Sequence, residues 1–227
     1  MPQILLIEDD RYVREALEIA LRHLGHDVLA RGDGESGISA VRDYAPDVVV
    51  LDVMLPGADG FETCRRLRAF SAVPIVMLTA RSDDMDVVAG LEAGADDFLA
   101  KPVQPRVLEA KLKAVLRRVA PSTTSAPTGP VAFGDVVLDR GSLVVTKGGK
   151  HLDLTPMELR LLLELSANAG LVLSRQQLLT SVWGQDYLGD SRLVDACVQR
   201  LRAKIEDVPA EPQLLRTVRG FGYRFGP

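Results

Sequence analysis

The sequence predicts an α/β domain with a doubly wound, five-stranded parallel sheet, followed by a smaller α+β domain. Three observations in the 227-residue chain support this organisation. Short β-branched runs alternate with helical periodicity through residues 1–118, which is typical of a parallel sheet covered by helices on both faces. Residues 120–130 are rich in Pro, Ser and Thr, so we place a flexible linker at 119–130. Residues 131–227 combine strand-like runs with three helical stretches.

Each element of the first domain follows from a local pattern. Short β-branched and apolar runs predict the strands, and apolar residues at helical spacing predict the helices between them. In a sheet of this kind, ligands bind beyond the carboxyl ends of the strands. The predicted strands are 4–7, 27–31, 48–52, 75–79 and 97–100, and the predicted helices are about 11–24, 34–44, 60–69, 84–93 and 105–118.

The second domain is predicted to be a winged helix-turn-helix. Its first helix has the signature of a capping box, with Thr155 as the cap, Pro156 in the first turn and Glu158 closing the box. The final hairpin has a glycine-rich tip, which is typical of a wing. The predicted strands are 131–138, 142–146, 151–154, 214–218 and 223–225, and the later helices are about 175–183 and 191–206.

Composition narrows the class of protein. No apolar stretch approaches the roughly 18 residues of a membrane helix, and the chain start lacks the features of a signal peptide, so we expect a cytoplasmic protein with no membrane partner. Cys64 and Cys197 are too few for a disulfide framework or a zinc site. The net charge is −5 over residues 1–118 and +1 over residues 131–227, where basic groups crowd toward the end. That asymmetry is a weak sign of a nucleic-acid face.

Carboxylates follow two of the predicted buried strands. Glu8 and Asp9 come directly after the first strand, and Asp52 closes the third. Two such charges about 4 Å apart repel by about 4 kcal/mol at an effective dielectric near 20, so the cluster must hold a proton or recruit a cation. The alternative is that acidic residues simply begin solvent loops. Two acidic strand ends, with a lysine after another strand, favour a divalent cation.

The strand ends also carry the groups that phosphoryl transfer needs. Thr79 ends the fourth strand with a hydroxyl, and Lys101 follows the fifth with a mobile positive charge. A metal ion, an ammonium and a hydroxyl can neutralise phosphoryl oxygens while a carboxylate attacks in line. Asp52, at the centre of the sheet, is the expected nucleophile.

The last predicted helix of the second domain has one apolar face and one polar face. Val194, Val198, Leu201 and Ile205 recur at helical spacing and should face the core. On the other face Gln199 and Arg200 suit base edges, whereas other cations suit phosphates. We predict DNA contacts for Arg192, Asp195, Ala196, Gln199, Arg200, Arg202 and Lys204, with Arg219 of the wing in the minor groove and Thr217 or Tyr223 on the backbone.

These residues match a family. The motifs Leu6-Ile7-Glu8-Asp9-Asp10, Leu51-Asp52-Val53-Met54-Leu55-Pro56-Gly57, Thr79-Ala80 and Gly94-Ala95-Asp96-Asp97-Phe98-Leu99-Ala100-Lys101-Pro102 closely resemble the flavodoxin-like receiver domain of two-component response regulators. The segment Arg216-Thr217-Val218-Arg219-Gly220-Phe221-Gly222-Tyr223-Arg224-Phe225 resembles the DNA-binding domain of the OmpR/PhoB branch.

The resemblance implies that a partner histidine kinase phosphorylates Asp52, with Mg²⁺ held by Asp9, Asp52 and the backbone carbonyl of Met54. The hard cation expected from the acidic residues themselves could also engage Glu8 through one of its water ligands. The resemblance also implies that Thr79 and Phe98 form a switch pair, that Ala80, Lys101 and Pro102 belong to the phosphoryl-binding and switch region, and that the Lys101–Pro102 bond is cis. The expected partners are double-stranded DNA, RNA polymerase and, on activation, a second copy of the chain.

Receivers of this branch dimerise through the helix at 84–93, the strand at 97–100 and the helix at 105–118. We expect the interface here to depend more on apolar contacts, because Val87, Ala93 and Val107 stand where the branch has charges. The residues predicted to contribute to it are Val87, Glu92, Asp96, Asp97, Val107, Lys111 and Lys113.

Two alternatives use the same residues differently. A phosphohydrolase could use Asp52 as a covalent nucleophile, but such enzymes commonly have a second Asp two residues later as general acid, and Met54 stands there. We therefore expect a regulator and not an enzyme. The second alternative is a phosphorylation-independent regulator that uses the receiver only as a dimerisation module, and the complete acidic set argues against it.

Overall fold

The computed structural model describes residues 2–57, 59–79, 84–119, 129–184 and 191–226, without the side chains of residues 84–88 and 117–119. The chain divides into two compact units, Met1–Arg117 and Arg118–Pro227. Most of the predicted linker falls outside the described residues. Among those residues, no helix is both long enough and apolar enough to cross a membrane.

The first unit contains a five-stranded sheet in which every strand pair is parallel. The strand order is β2-β1-β3-β4-β5, so the chain reverses direction across the sheet between β1 and β3. The predicted doubly wound sheet is confirmed. The strands are β1 Gln3–Ile7, β2 Asp27–Arg31, β3 Val48–Asp52, β4 Ile75–Thr79 and β5 Asp97–Ala100.

Helices cover both faces of this sheet. Side chains of successive strand residues point to opposite faces, so Leu5 and Val49 join one buried cluster whereas Ile4 and Val48 join the other. Leu108 of α5 packs in the second cluster. The helices are α1 Arg11–His23, α2 Gly34–Tyr44, α3 Gly60–Arg68, α4 Asp84–Ala93 and α5 Pro105–Val119.

Three aspartates cap the helices that follow the first three strands. The Asp10 carboxylate accepts from the backbone N of Tyr12 and Val13, and Asp33 and Asp59 cap α2 and α3 in the same way. An Asp at this position satisfies backbone donors that the helix leaves unpaired. Asp10 therefore begins α1 and fixes the loop that carries the two acidic residues before it.

The second unit begins with an antiparallel sheet of four strands, β6 Pro130–Phe133, β7 Val136–Asp139, β8 Val144–Lys147 and β9 Lys150–His151. The prediction of a single strand over 131–138 is wrong. The chain reverses at Gly134, whose φ of +63° lies in the left-handed region that glycine adopts at little cost. β6 and β7 therefore form a hairpin.

Three helices and a hairpin complete the second unit, as predicted for a winged helix. The Thr155–Glu158 capping box at the start of α6 is present, and Val194, Val198, Leu201 and Ile205 are buried. The elements are α6 Pro156–Ala167, β10 Val172–Leu173, α7 Arg175–Leu178 with a π-helical continuation Leu179–Trp183, α8 Arg192–Ile205, β11 Leu215–Val218 and β12 Gly222–Phe225.

Candidate functional site

The acidic residues at the ends of β1 and β3 form one cluster. Carboxylate oxygens of Glu8, Asp9 and Asp52 lie within 4.8 Å of one another. Glu8 and Asp52 are buried, whereas Asp9 is exposed. The parallel pairing of β1 with β3 brings these strand ends together, as expected from the sequence.

Lys101 partly neutralises the cluster. Its Nζ donates to Asp52 Oδ2 at 2.9 Å and lies 2.8 Å from Glu8 Oε2. Burial alone would lower the pKa of Lys101, but the hydrogen bonds to Glu8 and Asp52 outweigh it, and the pKa is raised. Burial raises the pKa of Glu8, against the lowering effect of its hydrogen bond with Lys101. One ammonium therefore serves two buried carboxylates.

Asp52 retains an acceptor for a further positive group. Its Oδ1 is buried and receives no hydrogen bond from the described part of the chain. A buried carboxylate oxygen without a donor is costly, and a hard cation bound by oxygen ligands would remove that cost. The donor set therefore fits Mg²⁺.

The backbone beside Asp52 is packed against the start of α3. A Cβ on Gly60 would lie 2.1 Å from the Asp52 carbonyl oxygen and 2.7 Å from the Val53 Cα. Only glycine permits this approach, which holds the end of β3 in place. Met54, two residues after the buried Asp52, is 68% exposed.

The two residues of the predicted switch pair lie at the same recess. Thr79 is buried and Phe98 is half-buried, and both line the recess with Val53, Met77, Gly90, Leu91 and Ala95. The Lys101–Pro102 bond is cis, as the resemblance implied. Ala80 lies outside the described residues.

The structure changes the prediction for the dimerisation face at two positions. Asp96 is 1% exposed; it accepts from Arg68 Nη2 at 2.6 Å and from the Ile75 backbone N at 2.9 Å. A carboxylate committed to these donors belongs to the interior of its own chain. Ala93 is also buried, within the core under α2, α3 and α4, so its lack of charge reflects packing.

The remaining predicted dimerisation residues differ in accessibility. Asp97 is buried and accepts from Lys111 Nζ at 2.7 Å, and this ammonium lies 6.0 Å from the centre of the Phe98 ring. Val107 and Glu92 are exposed. Lys113 pairs with Glu109 one turn earlier. The side chain of Val87 lies outside the described residues.

In the second unit, the exposed ridge of α8 is narrower than the sequence predicted. Gln199 and Ala203 are exposed, and Arg192 and Ala196 are half-buried. These four positions follow one another at three- or four-residue spacing, so they share one side of the helix. Leu193 and Cys197 are buried in the core.

The flank of α8 that faces the wing is a network of internal contacts. Asp195 Oδ1 accepts from Arg175 Nε at 2.7 Å and from the Tyr223 hydroxyl at 2.6 Å. Burial, with the Asp195 hydrogen bond, raises the pKa of Tyr223 to about 12. Sequence reasoning missed Arg175, whose only local signal is its place after the Ser174 cap.

Arg202 belongs to the same flank and is not placed to contact phosphate. Only 6% of it is exposed, and its guanidinium donates to the Leu215 carbonyl at 2.8 Å and to Thr217 Oγ1 at 2.9 Å. It also lies 5.7 Å from the centre of the Tyr223 ring. Arg202 therefore links the wing to α8 inside the protein, where the sequence had predicted a contact with phosphate.

The opposite flank of α8 faces α6. The buried Glu158 accepts from Arg200 Nε at 3.3 Å and from Lys204 Nζ at 2.7 Å. Lys204 Nζ also donates to the Asp153 carbonyl at 2.7 Å. Sequence reasoning recognised Glu158 only as part of the capping box.

The wing ends in an exposed tip. Arg219 and Phe221 are exposed. Gly220 adopts a φ of +78° in the turn, and a Cβ on Gly222 would lie 2.0 Å from the Leu173 carbonyl oxygen. These two glycines set the shape of the hairpin that carries Arg219.

Comparison with known proteins gives consistent matches for both units. The family model "Response regulator receiver domain" matches residues 4–113, and "Transcriptional regulatory protein, C terminal" matches residues 149–225. The transcriptional regulatory protein AfsQ1 of Streptomyces coelicolor is 60% identical over 227 residues, covering 100% of this chain and 99% of its own. The DNA-binding response regulator MtrA of Mycolicibacterium smegmatis is 47% identical, covering 99% and 97%.

A solved structure agrees. The response regulator DrrB of Thermotoga maritima, described as an OmpR/PhoB homologue, is 36% identical with a TM-score of 0.51, and the match covers 100% of both chains. The chain is therefore a two-component transcriptional regulator, and it belongs to the OmpR/PhoB family of response regulators.

Proposed function

We propose that Asp52 accepts a phosphoryl group from a histidine kinase and that this modification controls DNA binding. The observation that carries the proposal is the buried Asp52 Oδ1, which lacks a donor within the described chain, beside a carboxylate oxygen held by Lys101. The Asp52 oxygen forms the new bond to phosphorus while the bond from phosphorus to the donor histidine nitrogen breaks. The product is an acyl phosphate and a free imidazole.

The chain's own groups would stabilise the transferred phosphoryl group. The Lys101 ammonium, already 2.9 Å from Asp52 Oδ2, can pair with one phosphoryl oxygen, and the Thr79 hydroxyl can donate to another. Asp9, Asp52 and the Met54 backbone carbonyl would hold Mg²⁺, with Glu8 acting through a water molecule. The bound ion would supply neutralisation of charge on the phosphoryl oxygens.

The transfer would act on the recess between Thr79 and Phe98. Movement of the Thr79 side chain toward the phosphoryl group would vacate space that the half-buried Phe98 ring can enter. Phe98 also contacts Lys111 of α5, which holds the buried Asp97, so its movement would alter the face where Val107, Glu92 and Lys113 are available for dimerisation. We propose that a homodimer forms there.

The dimer would bind double-stranded DNA through the second unit. Gln199 and Arg192 lie on the exposed ridge of α8, where they can reach base edges and phosphates, and Arg219 at the wing tip suits the minor groove. The protein would act in the cytoplasm and influence RNA polymerase through the DNA-bound dimer. With Met54 exposed two residues after Asp52, no acidic group there assists hydrolysis, which suits a signal and not an enzyme.

Asp52→Asn tests the phosphorylation step. Full-length wild type and variant would be treated with a small-molecule phosphodonor and Mg²⁺, then compared for phosphate incorporation, molar mass in solution and affinity for a DNA site selected from random sequences. We expect the wild type, but not Asp52→Asn, to incorporate phosphate, dimerise and bind DNA more tightly. Asp43→Asn, at an exposed position of α2, is the matched control and should behave as wild type.

The result that would contradict the proposal is equal dimerisation and DNA affinity in wild type and Asp52→Asn after treatment. That outcome would favour a regulator whose receiver only dimerises.

A further inference from the structure

The carboxylate of Glu158 lies between α6, which it helps to begin, and α8. Glu158 is only 1% exposed. Its Oε2 accepts from the Thr155 backbone N at 2.9 Å, and the same carboxylate accepts from Arg200 Nε at 3.3 Å and Lys204 Nζ at 2.7 Å. One buried anion therefore holds two cations of the helix proposed to read DNA.

The capping box does not require the negative charge. Gln serves at this position as well as Glu, because the box needs only a side-chain acceptor for the cap's backbone N–H. A buried carboxylate, by contrast, costs free energy unless cations pair with it. The charge of Glu158 therefore points to a role in its contacts with α8.

Arg200 and Lys204 are held by Glu158 beside the exposed ridge of α8. Their side chains are 16% and 33% exposed, and both contact Glu158. Released from Glu158, two long cationic side chains could reach phosphates of any sequence. Each phosphate neutralised steepens the fall of log K with log salt by about 0.9, and such contacts strengthen binding without regard to base sequence.

We propose that Glu158 is a positioning residue that determines the specificity of DNA binding. It neutralises Arg200 and Lys204 so that they do not strengthen binding to non-cognate DNA, and it fixes the orientation from which Arg200 reaches a base. This role rests on the proposed DNA-binding function of α8.

Glu158→Gln in the full-length protein tests the role, because it removes the charge and keeps a capping acceptor. Binding would be measured over a range of salt concentrations to a duplex selected by the wild type from random sequences, and to a shuffled duplex of equal length and composition. We expect the salt slope on the shuffled duplex to steepen by about 1 to 2 and the ratio of cognate to shuffled affinity to fall at least about fivefold. A merely structural role would weaken both affinities together with an unchanged slope, which would overturn the proposal.

Lys204→Met supplies a second, independent test that does not depend on Glu158→Gln folding. It removes one cation and leaves Glu158 paired with Arg200, so we expect the salt slope and affinity ratio of the wild type. A slope reduced by about 1 would mean that Lys204 contacts phosphate and would overturn the proposal.

The two proposals fail in different ways. A wild type that prefers no selected duplex would overturn the proposed function of α8 itself. A wild type with a clear preference, combined with an unchanged slope and ratio in Glu158→Gln, would overturn only the role of Glu158.

Discussion

Replacing Lys101 by Met should destabilise the first unit in a way that both pH and Mg²⁺ can reverse. Lys101 is the cation that the described structure places between Glu8 and Asp52, at 2.8 Å and 2.9 Å. Met keeps most of the side-chain volume and removes the charge. The two buried carboxylates would then face each other without an ammonium between them.

The size of the effect follows from these distances. At an effective dielectric near 20, each contact is an attraction of about 6 kcal/mol before the cost of desolvation. Removing one partner from a buried ion pair costs about 3 to 5 kcal/mol in measured cases. Because 22% of the Lys101 side chain is exposed, we expect a loss near the lower limit, about 3 kcal/mol at neutral pH without divalent cations.

The pH dependence has a defined sign. Burial raises the folded pKa of Glu8 above its ordinary value of 4.5, and removing Lys101 takes away a lowering contribution. The stabilisation associated with a raised pKa is complete below the unfolded value and is lost as the pH rises through the folded value. The difference between variant and wild type should therefore be largest at neutral pH and shrink as the pH falls toward 4.5.

Chemical denaturation of the full-length protein can separate the two units. Trp183, the sole tryptophan, lies in the second unit, so its fluorescence follows that unit, whereas circular dichroism follows both. We expect Lys101→Met to move the dichroism transition and leave the fluorescence transition in place. Mg²⁺ at ten times its dissociation constant should return about 1.4 kcal/mol. Equal stability of both proteins in chelator at neutral pH, or a loss that neither acid nor Mg²⁺ reduces, would refute this account of the site.

Three further substitutions, two of them with a comparison variant, test the packing around the two sites. Gly60→Ala should lower the free energy of unfolding in urea by about 3 kcal/mol, because the new Cβ would meet backbone atoms of Asp52 and Val53. Gly57→Ala should lower it by only about 1 kcal/mol, because a Cβ there has no atom within 4 Å and is strained only by the φ of +84°. Equal losses would contradict the packing argument. Tyr223→Phe should abolish the ionisation near pH 12 in an absorbance titration. The wild type should lose stability as the pH rises from 10.0, the ordinary pKa of tyrosine, to about 12, and the variant should not show this loss. An unchanged titration would show that Tyr223 is not the buried group. Arg202→Met should lower the stability followed by Trp183 fluorescence by about 2 kcal/mol, because two hydrogen bonds are lost, and it should leave the salt slope of DNA binding unchanged. Arg219→Ala should instead lower that slope by about 1 without loss of stability. The reverse pattern would show that Arg202 contacts phosphate after all.

The first unit was predictable because its signals are local. Short β-branched and apolar runs mark the strands, and the parallel arrangement brings their carboxyl ends to one edge, so the sequence alone places Asp9, Asp52 and Lys101 together. The strand prediction over 131–138 failed for an equally local reason. Gly134 interrupts an otherwise strand-like composition, and a single glycine can either continue a strand or reverse it.

The sequence by itself determined the amphipathic character of α8, which depends on spacing within one helix, and the two fold classes, which depend on the order of the elements along the chain. It also determined the acidic cluster, since parallel strands bring their carboxyl ends to one edge of the sheet. Only the tertiary structure decided which charges are committed inside the protein. Asp96 is neutralised by Arg68, 28 residues away, and Arg200 by Glu158, 42 residues away. Whether a charged side chain reaches solvent or a buried partner depends on which opposite charge the packing of other elements brings within about 3 Å, and spacing along one helix carries no information about that.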